Sequence, residues 1–347
     1  MNTNIPELRG FDTGLVLDNL AVIFGRQEPW LTATIAQISE LADAIIHDAE
    51  HDPDTMYSIL LSLLGQMGED FPLAHHSDGQ HISGMEKCLG VYQKLLLYHF
   101  LFQKTGNYGV MTSHSPRNLP PSAQGRIAYM KSTLASKAYI RFASEVEGCR
   151  ATDAHSFVDA CEEVQNGLCE YCILPLRTST DGQLMSFYRL IIKYRLQIVA
   201  VYDVHHKTGG HPATTTFGLL RGMGESWDIQ DLLDNPFLQQ STPPTLSLLY
   251  ISEKKNIFGD VLMASECCHV PLTEASTLPL DEVAALLYGQ LPDADTSTPA
   301  NAFVLSFDMG EQLLTPNPNE STMPQAFLMH LMVEASEHLV LGLYPQL

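Results

Sequence analysis

Residues 154–205, AHSFVDACEEVQNGLCEYCILPLRTSTDGQLMSFYRLIIKYRLQIVAVYDVH, decide the fold. Ser156 precedes an amphipathic run that ends at Gly167, the pattern of a capped helix. Residues 169–176, CEYCILPL, read as a buried strand. Residues 184–195, LMSFYRLIIKYR, return to helical spacing, and 196–204, LQIVAVYDV, read as a strand again. Upstream, RIAYM (126–130) is another short apolar run, and ASKAYIRFASEV (135–146) is helical. Strands alternating with helices predict an α/β unit.

Two further regions flank this unit. Toward the C-terminus, TLSLLYIS (245–252), AFVLSFD (302–308) and EHLVLGLYP (337–345) read as strands, and 268–276 as an extended segment. Helical stretches are expected at 259–268, 278–290 and 325–335. Toward the N-terminus the period is helical throughout. Leu31, Ile35, Ile38, Leu41 and Ile45 recur at steps of three and four, and Pro53 fits the first turn of a second helix. A third helix is expected over 85–104. The expected organisation is a helical domain (1–112), a linker (113–125), the α/β lobe (126–221), a second linker (222–244) and a C-terminal unit (245–347).

Composition narrows the function. The formal charge is -21 over 347 residues, so phosphate backbones and anionic lipid would be repelled; neither a nucleic acid nor a membrane is an expected partner. At 45% hydrophobic and 17% charged residues the chain has the make-up of a folded protein. No apolar run reaches membrane-spanning length, and the opening MNTNIPELRGFDTG lacks a secretory pattern, so the expected location is cytoplasmic. The 7 cysteines are then expected as thiols. No cofactor motif is present, and no metal site is expected. Asp43, His47 and His51 share a helix face, read as solvated because no further ligand accompanies them. Cys169 and Cys172 are read as alternating buried and exposed thiols on a strand, and Cys267-Cys268-His269 is short of ligands. His75, His76 and His81 fall in a polar loop.

Several motifs, in order, carry a family resemblance. The run Pro175-Leu176-Arg177-Thr178-Ser179-Thr180-Asp181-Gly182 follows a helix and a strand as "P-I-E-N-S-T-x-G" does in prephenate dehydratases. Arg126-Ile127-Ala128-Tyr129 resembles that family's opening strand, and Thr214-Thr215-Thr216-Phe217 its "T-R-F" strand. Gly259-Asp260-Val261-Leu262, the run Val270 to Pro279, and Leu341-Gly342-Leu343-Tyr344-Pro345 resemble the "P-G-A-L", "I-N-L-T-K-I-E-S-R-P" and "L-G-S-Y-P" segments of the attached ACT regulatory domain. The N-terminal helices stand where many such enzymes carry an AroQ-type chorismate mutase domain. Arg9 and Arg26 match the spacing of its first two arginines, whereas Gln37 replaces its lysine and Glu50 matches its acidic position loosely.

The resemblance implies an α+β protein: a helical N-terminal domain, a single α/β lobe of prephenate dehydratase (periplasmic-binding-protein-like) type, and a ferredoxin-like ACT domain. It implies Thr215, Ser179 and Thr180 as catalytic positions and Arg177, Thr178 and Lys131 as substrate-binding ones. Gly259, Leu272, Thr273 and Ser276 become effector-binding positions. The pattern is also broken in ways that matter chemically. The family's arginine after the donor threonine is Thr216, its "E-N" pair is Arg177-Thr178, and Ser276-Thr277-Leu278-Pro279 lacks the Glu and Arg of "E-S-R-P". Losing one buried charged hydrogen bond costs about 2–5 kcal/mol. Only residues 205–214 separate Val204 from Thr215, where the family inserts its second lobe, and a βαβ lobe needs more chain.

The expectation is therefore a degenerate prephenate dehydratase-like protein of phenylalanine biosynthesis, regulatory or scaffolding, with little dehydratase activity. Two alternatives stay open: an active lyase converting prephenate to phenylpyruvate through a rebuilt site, and an ACT-type amino-acid sensor. Expected partners are prephenate or an aromatic amino acid, and further copies of the chain joined through the ACT domain.

Overall fold

The computed structural model describes residues 28–49, 94–98, 119–223, 235–239, 242–252, 259–279, 301–310 and 338–347, with a few positions between them. Arg9, Arg26, Glu50, His51, His75, His76 and His81, most of the expected second and third helices, the 278–290 helix beyond Pro279 and parts of both linkers lie outside the described residues.

The segment first quoted folds as its periodicity requires. Strand β1 (Arg126–Met130) leads into α2 (Thr133–Ala143), β2 (Arg150–Ala154), α3 (Phe157–Gln165), β3 (Tyr171–Thr178), the short β4 (Gly182–Gln183), α4 (Met185–Lys193), β5 (Leu196–Thr208) and β6 (His211–Gly222). N-terminal to these, α1 spans Glu28–Asp48. Ser132 and Ser156 cap α2 and α3, their hydroxyl oxygens accepting from Ala135 N at 3.1 Å and Asp159 N at 3.0 Å. Strand β1 lies between β2 and β3 and is parallel to both. Strand β2 escaped the sequence reading because its RATDA residues sit at a sheet edge, mostly exposed, with no apolar alternation. The CxxC expectation also needs correcting. Cys169 and Cys172 are both fully buried, because the first precedes β3 and the strand packs on both faces.

Strands β5 and β6 form one long antiparallel hairpin, paired from Leu196↔Gly222 to Thr208↔His211 with one register shift between Ile198 and Ala200. Gly209 and Gly210 make its turn with φ of +58° and +86°, the paired positive values that a two-residue hairpin demands. Val204 and Thr215 face each other directly across the ladder.

The C-terminal strands are β7 (Thr245–Ser252), β8 (Leu272–Pro279), β9 (Asn301–Asp308) and β10 (His338–Tyr344), with α5 (Gly259–Cys267) between the first two. They are antiparallel in the order β10-β7-β9-β8, a split β-α-β arrangement. Helical residues 327–328 and 330–331 precede β10.

Both sets of strands belong to one ten-stranded sheet, β2-β1-β3-β6-β5-β10-β7-β9-β8, with β4 beside β3. The chain is thus a mixed α/β, sheet-dominated protein. The join is β10 running parallel to β5 at Gly342↔Ile198. It continues through Val201 N donating to Pro345 O at 3.1 Å and Leu347 N to Val201 O at 2.8 Å. Buried Asn235 bridges the strands, its amide donating to Val199 O at 2.7 Å and Leu343 O at 2.9 Å. One apolar cluster gathers α2 and Phe237 on one face; the other unites α3 and α4 with Leu249, Val304, Leu341 and Tyr344 of the C-terminal strands. The sheet curls around α4, so that Arg177 on the third strand of the order reaches Glu274 on the last.

In α1, Ile38, Ala42 and Ile45 are buried, as is Ala49 just after it, and Lys104 holds Asp43 at 2.5 Å and the Ser39 carbonyl at 3.3 Å. The exposed His47 ring lies 3.5 Å from Asp48. Tyr98 reaches the C-terminal segment through an aromatic contact with His330.

Candidate functional site

The carboxyl end of β3 and the start of β6 gather several of the residues singled out in the sequence. Thr178 ends β3, and the turn after it is held by Asp181. Its carboxylate accepts from the Thr178 and Thr180 hydroxyls at 2.9 and 3.0 Å. Its amide donates to Thr178 Oγ1 at 2.9 Å. Ser179 ties this turn to β6, its amide donating to Thr214 O at 2.9 Å and its hydroxyl accepting from Thr214 N at 3.0 Å. Thr178, Ser179, Thr180 and Thr215 are therefore brought together, with Thr178 and Thr215 register partners.

Thr215 is 6% exposed, and its hydroxyl lies 2.9 Å from His206 Nε2. The other imidazole nitrogen of His206 is 3.2 Å from the Thr208 hydroxyl. A hydroxyl, an imidazole and a second hydroxyl thus form a chain of the kind that positions a proton. On the opposite face His205 makes a similar 3.0 Å contact with Thr214. His206 was missed in the sequence. The only available signal was alternation, which puts residues 204 and 206 of an extended strand on one face, beside Thr215 of the returning strand.

The expected cations are elsewhere engaged. Lys131 Nζ stands 3.6 Å from Asp153 across β1 and β2, and Arg177 is 3.7 Å from Glu274 of β8. At the position of the family's arginine, Thr216 donates to Asp203 Oδ1 at 2.5 Å, and Asp203 Oδ2 accepts from the Gln346 amide at 2.8 Å. Asp203, Glu274 and Gln346 had no signal in the sequence, since each pairing joins distant parts of the chain.

The effector positions fall on α5 and β8. Gly259 opens α5, and Leu272 opens β8. Thr273 lies at the shift in the β8–β9 register, exposed, with its hydroxyl donating to Ser306 O at 2.9 Å. Ser276 is half-buried opposite Val304. Across the same sheet face, the Ser247 hydroxyl lies 2.9 Å from that of Ser306 and 2.7 Å from that of Tyr344. Burial pushes the Tyr188 hydroxyl well above its ordinary pKa and that of Tyr344 up to about 12. No group of three or more metal-ligating side chains occurs among the described residues. No described helix is long and apolar enough to cross a membrane.

No family model and no curated protein matches the chain. Among solved structures, a prephenate dehydratase from Streptococcus mutans is similar at 13% identity and a TM-score of 0.44, over 64% of this chain and 98% of that one. A prephenate dehydratase from Arthrobacter aurescens in complex with L-Phe is similar at 11% identity and 0.41, over 63% of this chain and 90% of that one. GqqA, described as a novel type of quorum quenching acylase, is similar at 15% and 0.41, over 63% of this chain and 94% of that one.

Proposed function

We propose that this chain is a prephenate dehydratase-like protein that binds ligands of phenylalanine biosynthesis without converting them efficiently, in a regulatory or scaffolding role. The β5–β6 hairpin carries this reading. The two strands meet through Gly209 and Gly210, at the place where dehydratases insert the second wall of their cleft. A site with one wall does not exclude water, and the electrostatic stabilisation of a departing hydroxide then loses most of its strength. The placing of Glu274 3.7 Å from Arg177 and of Asp153 3.6 Å from Lys131 supports the same conclusion, since a substrate carboxylate would compete with one already beside each cation.

The β10-β7-β9-β8 arrangement supports an ACT-type reading of residues 245–347, with Gly259, Leu272, Thr273 and Ser276 as its effector positions and chain-to-chain pairing as its second role. Helix α1 and the helical residues 94–98, 100 and 101 support a helical N-terminal domain over 1–112. The domain limits are those expected above, and the protein works in the cytoplasm.

One observation favours a second reading, a surviving lyase. Thr215 could deliver a proton to the leaving hydroxyl of prephenate and regain it from His206 at 2.9 Å. The C–O bond breaks as water leaves, the ring carboxylate departs as carbon dioxide, and its bonding electrons complete the aromatic ring.

Phenylpyruvate release from prephenate by the purified chain separates the two. The proposal expects no release above the spontaneous rate. Turnover on the order of 1 per second or faster, abolished by Thr215→Ala, would establish the lyase instead. Thermal-shift measurements with Phe, Tyr, Trp, prephenate and chorismate identify the ligand class.

A further inference from the structure

Strand β2 stands first in the sheet order, so one of its edges has no neighbouring strand among the described residues. Arg150 N donates to Gly125 O at 2.9 Å, which fixes the phase of its ladder with β1. In a strand the N–H and C=O of one residue point to one side and those of the next residue to the other. Arg150, Thr152 and Ala154 therefore bond toward β1, and Ala151 and Asp153 turn their amides and carbonyls outward. Both of these residues are exposed. Edge strands are often closed to further pairing by a proline or a bulge. Strand β2, RATDA, has no proline, and its register with β1 runs without a shift. It carries one charge of each sign, Arg150 at its start and Asp153 near its end. Asp153 has Lys131 of its own chain 3.6 Å away, with both side chains more than half exposed.

We propose that this edge pairs with the same edge of a second copy of the chain, antiparallel about a two-fold axis at Thr152, so that the two sheets become one. In that register Ala151 lies directly opposite Asp153 of the second copy, and the outward groups of each such pair exchange two main-chain hydrogen bonds, four in all. The two Thr152 side chains meet across the axis, a favourable cross-strand pair. Charge selects the arrangement. Antiparallel pairing sets the Arg150 end of one strand beside the Asp153 end of the other, whereas parallel pairing would set like charges side by side. A slip by one bonded pair toward the C-terminus would put Asp153 opposite Asp153. The edge is 5 residues long, and copies of a chain with net charge -21 repel each other, so the dimer is weak and reversible. Strand β2 lies at the other end of the sheet from β8, so this contact is separate from the pairing proposed for residues 245–347 and needs no ligand.

Analytical sedimentation of the full chain from about 10 µM to about 1 mM, with amide exchange measured at both ends of that range, tests the pairing. The mean mass is expected to rise with concentration, and residues 150–154 to exchange more slowly in the concentrated sample. Ala151→Lys places an ammonium directly across from Asp153 of the second copy and should tighten association about threefold to tenfold. Ala151→Glu places like charges there and should loosen it by a similar factor. Ser186→Lys makes the same change in net charge at an exposed position of α4 and should alter association by less than about twofold. Melting temperatures verify that the variants fold, and the exchange comparison uses the unaltered chain. The pairing is refuted if residues 150–154 exchange equally fast at both concentrations, whether the chain stays monomeric or associates elsewhere. It is refuted equally if the Lys and Glu variants at position 151 associate alike.

Discussion

Replacing Gly342 with alanine tests the join on which the single sheet depends. The backbone there has φ of +155°, and an added Cβ would lie 2.2 Å from Ile198 O, 2.9 Å from its N and 3.0 Å from its C. The first contact falls short of ordinary van der Waals separation by about 1 Å, and all three obstacles are main chain rather than a side chain that could swing away. Unfavourable backbone conformation adds about 1–3 kcal/mol and overpacking about 1–3 kcal/mol. The expected loss is therefore about 2–6 kcal/mol, a large share of the stability of an ordinary domain. Urea unfolding at 25 °C measures it, with Gly148→Ala as the control. At that position φ is +65° and nothing lies within 4 Å, so only the conformational cost of about 1–2 kcal/mol applies. Amide exchange should also accelerate at Val201, whose N–H is bonded to Pro345 O. The reasoning is wrong if Gly342→Ala costs no more than the control and leaves Val201 protected.

Asn235→Ala removes two donors from the buried carbonyls of Val199 and Leu343, and should lower stability by about 2–4 kcal/mol in the same urea assay. Tyr344 has an ordinary pKa of 10.0 and a folded one of about 12 because burial disfavours the phenolate. The unfolded chain therefore ionises first, and stability should fall by up to about 2–3 kcal/mol as pH rises from 10 to 12. Tyr344→Phe should flatten that part of the pH profile. His206→Ala leaves the buried Thr215 hydroxyl without its partner, with an expected cost of about 1–2 kcal/mol by thermal unfolding. Thr215→Val in that background should then cost little more, since the stranded hydroxyl is removed.

Local periodicity was enough for β1, β3, α2, α3, α4 and the core of β5, because these elements bury one face or both and their apolar residues repeat accordingly. It also located β7, β9 and β10 to within a few residues. What it could not supply was any relation made through space. Strand β2 has exposed residues and is fixed by pairing with β1 alone. The buried state of Cys169 depends on packing above the strand, which spacing does not encode. Thr215 and the 178–180 turn came together as their motifs suggested, because β3 and β6 are register partners. The pairing of Arg177 with Glu274 follows from the curl of the sheet around α4, a property of the whole assembly.

The ladder running unbroken from β2 to β8 has a mechanical consequence. Two-lobed binders trap a ligand by rotating rigid halves about a few pliable residues between them. Main-chain bonds stitch Ile198 through Val201 to the C-terminal segment, and a hinge at that line would have to break them first. Any response to a bound molecule must therefore travel as twist along the strands or as side-chain rearrangement, giving small displacements felt at both rims of the sheet together.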